Sequence, residues 1–85
     1  MTRPSTPDPA LARTLRRMRG ERGLAREALA FRSGITVGAL ARIELGHAAP
    51  GWDTVRLLAQ GLDVSMVELS AAVEGTSLSA VEFSY

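Results

Sequence analysis

The chain has no cysteine, no lysine and a single histidine. Without cysteine there is no disulfide framework, no thiolate zinc site and no cysteine nucleophile. One histidine, His47, rules out a multi-histidine metal site, and no metal is expected. No run of about 18 apolar residues is present, so no membrane helix is expected. The opening stretch, Met1 to Ala10, lacks the apolar core of a secretory signal, and a cytoplasmic location is the expectation. Serines, the histidine and acids occur, but in no triad-like arrangement, which argues against an enzyme and leaves no cofactor to expect. Internal repeats and low-complexity tracts are also missing.

What is there amounts to one domain. A chain of 85 residues buries only about 60–65% of its unfolded surface, too little to combine an efficient core with a deep catalytic cleft. A hydrophobic fraction of 46% argues against wholesale disorder. All ten basic residues are arginines, and their placement is uneven. Residues 1–42 hold nine of them against Asp8, Glu21 and Glu27, a net charge of +6. Residues 43–85 hold only Arg56 against six carboxylates, a net charge of −5. A basic half on an acidic half suits a nucleic-acid-facing surface backed by a neutralising body. A solvated arginine face on one helix is the competing account.

Local signals divide the chain into an N-terminal tail (1–8), an all-helical domain (9–75) and a C-terminal tail (76–85). Asp8 and Pro9 start a first helix over about 9–22: aspartate accepts from free first-turn N–H groups, and proline lacks one of those donors. Leu11, Leu15 and Met18 repeat at helical spacing until Gly23 offers a left-handed stop. A short second helix over 25–32 closes at Ser33-Gly34. Thr36 caps a third, with Leu40 and Ile43 inward and Gly46 at its end. The fourth, about 52–61, is expected to turn Val55, Leu58 and Trp52 inward. Ser65 and Glu68 form a capping box opening a fifth, which ends near Gly75. The weak alternation of Ala80 to Tyr85 would let it pair as a strand across a dimer, although a frayed end is the preferred reading.

The stretch Arg26 to Leu45 is the most informative. Two short helices follow each other with little slack, a small Ala30 where they cross and Gly34 in a turn that needs positive φ. Around it stand Leu15-Arg16, Arg19, Gly23-Leu24, Glu27, Leu29-Ala30, Gly34, Thr36, Leu40, Ile43-Glu44, Gly46, Pro50 and Leu58-Ala59. On these residues the segment 10–73 resembles the phage-repressor-type (XRE, lambda-repressor-like) helix-turn-helix family. The resemblance implies a compact five-helix DNA-binding domain whose third helix enters the major groove of an operator, acting as a transcription regulator and usually as a symmetric dimer.

The expected DNA contacts are Arg26, Thr36, Val37, Gly38, Ala39, Arg42 and His47. Arg26 stands at the start of helix 2, where the family usually has a glutamine that contacts the backbone; a salt bridge to a neighbour is the alternative. Arg42 is the candidate base reader, because a guanidinium can donate two parallel hydrogen bonds to guanine. Arg19 and Glu44 are implied by the resemblance to form a partly buried pair between helices 1 and 3. Three features depart from the family pattern. Val37-Gly38-Ala39 bring no side-chain hydrogen bonds to base edges, leaving contact with a thymine methyl or close backbone approach. Ala25 replaces the usual Ser or Thr cap, and the loop at His47 is short of basic residues.

A homodimer is expected, since one such domain covers a half-site and two half-sites lie about 34 Å apart. The candidate seam is helix 5 with the tail: Met66, Val67, Leu69, Val73 and Phe83. A helix-turn-helix scaffold used for protein contacts, such as an antitoxin or regulator subunit, is the second class, motivated by Phe31, Leu78, Val81, Phe83 and Tyr85. Among DNA binders, a stand-alone repressor and a restriction–modification controller both remain open. Leu29 to Ser33 and Gly61 to Ser65 resemble the controllers loosely.

Overall fold

The computed structural model describes residues 7–75, and five helices connected by short turns lie among them. The helices are α1 (Pro9–Glu21), α2 (Arg26–Ser33), α3 (Val37–Glu44), α4 (Trp52–Leu62) and α5 (Met66–Glu74). The readings made for Phe83 and for the tail 76–85 lie outside the described residues.

Each helix starts and stops where its local chemistry directs. The Asp8 carboxylate accepts from Ala10 N at 3.0 Å and Leu11 N at 3.3 Å, satisfying two orphan donors of α1. The Thr36 hydroxyl accepts from Ala39 N at 3.0 Å. At α5 the capping box is complete: Ser65 Oγ accepts from Glu68 N, and Glu68 Oε1 accepts from Ser65 N, each at 3.0 Å. Ala25 makes no side-chain cap for α2, which begins at Arg26. Gly34 ends α2 with φ at +74°, a left-handed conformation that a Cβ would strain. Asp63 ends α4 in the same conformation at φ +60°, tolerated because its short polar side chain suits that region.

The apolar stripes meet in one core. Leu15, Leu29, Leu40, Leu58, Leu62 and Leu69 are essentially unexposed, so every helix contributes at least one buried leucine. Burying such a side chain contributes about 1.5–3 kcal/mol relative to leaving it in water. Helix α2 packs closely on α4, and α1 bridges α3 and α5. The tightest crossing is between Ser33 and Gly61: a Cβ built at Gly61 would lie 2.2 Å from Ser33 Oγ and 3.0 Å from Leu29 Cδ1. Only a residue without a side chain fits α4 at that point.

Two expectations are corrected here. Trp52 does not turn inward: it is 68% exposed, because it is the first residue of α4 and lies before the turn that meets the core. Leu69 is removed from the dimer seam, since at 1% exposure its side chain is already spent on the monomer's own core.

Candidate nucleic-acid interface

The two faces of α3 differ completely. Leu40, Ile43 and Glu44 are buried, whereas Val37, Gly38, Ala39 and Arg42 are exposed. Gly38, Ala39 and Arg42 share one face, because positions three and four apart on a helix are neighbours. Thr36 and His47 flank the helix and are also exposed. The helix is thus a rod half sunk in the domain, with its other half presented to solvent. Among the exposed side chains of α3, Arg42 alone carries hydrogen-bonding groups.

Behind this surface, arginines converge on Glu44, whose carboxylate is fully buried. Arg19 meets it side-on, Nε to Oε2 at 2.7 Å and NH2 to Oε1 at 3.0 Å, and donates from NH1 to the Leu24 carbonyl at 3.0 Å. Arg26 donates from Nε to Glu44 Oε1 at 3.0 Å. Arg16 donates to the Glu44 backbone carbonyl. The hydrogen bond from Arg19 to Glu44 pushes the arginine pKa above its ordinary value, against the desolvation that lowers it. Both carboxylate oxygens are therefore satisfied, which makes an ionised group tolerable at zero exposure.

The sequence-predicted residues fall into three groups. Thr36, Val37, Gly38, Ala39, Arg42 and His47 are all exposed on or beside α3, with Gly38, Ala39 and Arg42 on one face and Val37 at the first residue of the helix. Arg19 and Glu44 are brought together behind it. Arg26 joins that pair, so the neighbour salt bridge weighed against phosphate contact is present; its side chain remains 34% exposed, and among the described residues its terminal NH2 groups meet no hydrogen-bond partner. On α5, Val67 is exposed, while Met66 and Val73 are half-buried against the core.

Sequence reasoning missed how the other arginines of α1 are used. Arg22 donates from Nε to the Leu62 carbonyl at 2.7 Å, tying the C-terminal end of α4 to α1. Arg16 does the same for the last turn of α3. Guanidinium groups at helix C-termini satisfy orphan carbonyls and complement the dipole. Four of the nine arginines in the basic half, Arg16, Arg19, Arg22 and Arg26, therefore brace one part of the chain against another, and neither a nucleic-acid face nor a solvated stripe describes that half fully. Their local spacing gave no signal, because each partner is a carbonyl 28 or 40 residues away. Among the described residues, no grouping of histidine and acids suits a metal ion, and no helix is long and apolar enough to cross a membrane.

A family model described as helix-turn-helix matches residues 15–69. Among solved structures, the chain is similar to the restriction–modification controller protein C.Esp1396I. The wild-type protein superposes with a TM-score of 0.76 at 22% identity, covering 79% of this chain and 87% of that one. The tetramer of the same protein in complex with its natural 35 base-pair operator gives 0.76 at 22% identity over 79% and 88%. A point mutant reaches 24% identity with a TM-score of 0.76, covering 78% and 86%. The comparison with curated proteins finds no match.

Proposed function

The chain belongs to the helix-turn-helix family, and from that premise we propose that it binds double-stranded DNA sequence-specifically through α3 in the major groove and acts as a transcription regulator. The observation that carries this reading is the solvent-facing side of α3, with Gly38, Ala39 and Arg42 on one face and Val37 exposed at the first residue of the helix, backed by the buried face of the same helix. A B-form major groove is about 12 Å wide and admits one α-helix. Arg42 has the chemistry to donate two bonds to a guanine edge, and the outward NH2 groups of Arg26 are available to a backbone phosphate. In this reading Glu44 holds Arg26 by its Nε, and Arg19 holds Glu44.

The likeness to a controller protein crystallised on its operator favours a controller or repressor role for this chain. A homodimer would place two reading helices on a two-fold operator. The seam we propose for it is the outer face of α5 at Met66, Val67 and Val73. Trp52, exposed at the start of α4 and lining the same shallow groove as Met66 and Val73, extends it.

Selection of bound fragments from random duplexes tests the reading, followed by titration with salt. A DNA regulator enriches a two-fold motif and loses affinity steeply from about 50 to about 200 mM salt, because its arginines displace condensed counterions. Recovery of no motif would assign the scaffold to protein contacts instead, the class to which Phe31, 88% exposed on α2, lends support.

A further inference from the structure

We infer that the tip of α3 reads thymine methyl groups, so that the operator half-site contains one or two thymines recognised through their C5 methyls beside a base read by Arg42. The inference rests on the DNA-binding reading above and names the chemistry by which that site selects sequence.

Val37, the first residue of α3, is 42% exposed, and Ala39 is exposed one turn from Arg42. Gly38 between them is open: a Cβ placed there meets nothing within 4 Å. Thr36 accepts from the Ala39 N–H at 3.0 Å, which holds its hydroxyl oxygen against the start of the helix and leaves its O–H as the one side-chain donor beside the tip. The first turn of α3 therefore presents methyl groups and bare backbone, with no amide, carboxylate or guanidinium.

A major groove displays hydrogen-bonding edges at every base pair and one apolar group, the C5 methyl of thymine. A polar edge facing Val37 or Ala39 would lose water and gain no partner, which is unfavourable. A methyl facing them loses only water it binds poorly. Discrimination follows from both sides of that difference. Gly38 strengthens it, because the missing side chain lets the backbone approach and brings the flanking methyls within contact distance. From Ala39 to Arg42 the helix rises about 4.5 Å, slightly more than one base-pair step of about 3.4 Å. The methyl contact and the arginine contact thus fall on adjacent base pairs or one apart.

Replacement of each thymine of the selected half-site by deoxyuridine, which lacks only the C5 methyl, tests the inference. Loss of one buried methyl contact is expected to weaken binding about fourfold at one or two positions per half-site. The Val37→Ala variant, altered at a solvent-exposed site and so folded normally, is expected to reduce that thymine-over-deoxyuridine preference. Equal binding of every deoxyuridine duplex, or a motif with no fixed thymine, overturns the inference and leaves the DNA-binding reading standing. A preference undiminished in both Val37→Ala and Ala39→Gly assigns the methyl contact elsewhere and overturns it too. If no duplex is bound at all, both fall together.

Discussion

Arg19 and Glu44 stand 25 residues apart in the chain, yet the guanidinium of one lies side-on against the carboxylate of the other through two hydrogen bonds. The carboxylate has no solvent exposure, and the arginine side chain keeps 19%. With Arg26 on the same oxygen pair, the contact joins α1, α2 and α3 at one buried point.

Removing one partner strands the other charge in the interior. Arg19→Ala is expected to cost about 3–5 kcal/mol, out of a total stability of about 4–13 kcal/mol for a domain of this size. Urea unfolding followed by circular dichroism measures it. A loss under about 1 kcal/mol would mean that Arg26 alone suffices for Glu44.

Ser33 supplies the opposite case. Its hydroxyl is buried at the α2–α4 crossing without a hydrogen-bond partner, beside the Gly61 backbone. Ser33→Ala removes an unsatisfied polar group, so it should stabilise by about 1 kcal/mol, raising Tm by about 4–8 °C. Gly61→Ala should destabilise, because even with the serine rotated the new methyl would lie 3.0 Å from Leu29 Cδ1 and 3.3 Å from Ser33 Cβ, so the buried leucine and the helix must give way. A Tm unchanged in both variants would show that the two helices separate freely.

For the proposed reading helix, Arg42→Ala is expected to lose about 1–3 kcal/mol of operator binding and to relax preference at one base position. The side chain is exposed and makes no hydrogen bond among the described residues, so the melting temperature should hold. Repeating the duplex selection with the variant distinguishes the roles. An equal loss on every sequence would assign Arg42 to the phosphate backbone.

Val67 tests the proposed seam. It is 59% exposed on α5 and contributes little to the monomer core. Val67→Glu places a charge in the contact and is expected to convert a micromolar dimer to monomer in sedimentation, with helicity intact. A wild-type chain that sediments only as monomer would remove the seam altogether.

The sequence by itself determined the helices. Asp8 with Pro9, Thr36, and Ser65 with Glu68 mark starts; Gly23, Gly34, Gly46 and Gly75 mark stops with positive φ. These signals act over a few residues, through side chains reaching neighbouring backbone groups, so they are legible without a fold. The exposed face of Gly38, Ala39 and Arg42 was legible for the same reason, since helical periodicity alone turns it away from the buried side of Leu40, Ile43 and Glu44. Only the tertiary structure decided how each arginine is used, that Leu69 belongs to the core, that Trp52 faces water, and that Gly61 must stay bare. Apart from the local Arg17–Glu21 pair, those outcomes depend on partners 18 to 40 residues away, or on how far a helix end lies from the core, which no local pattern encodes.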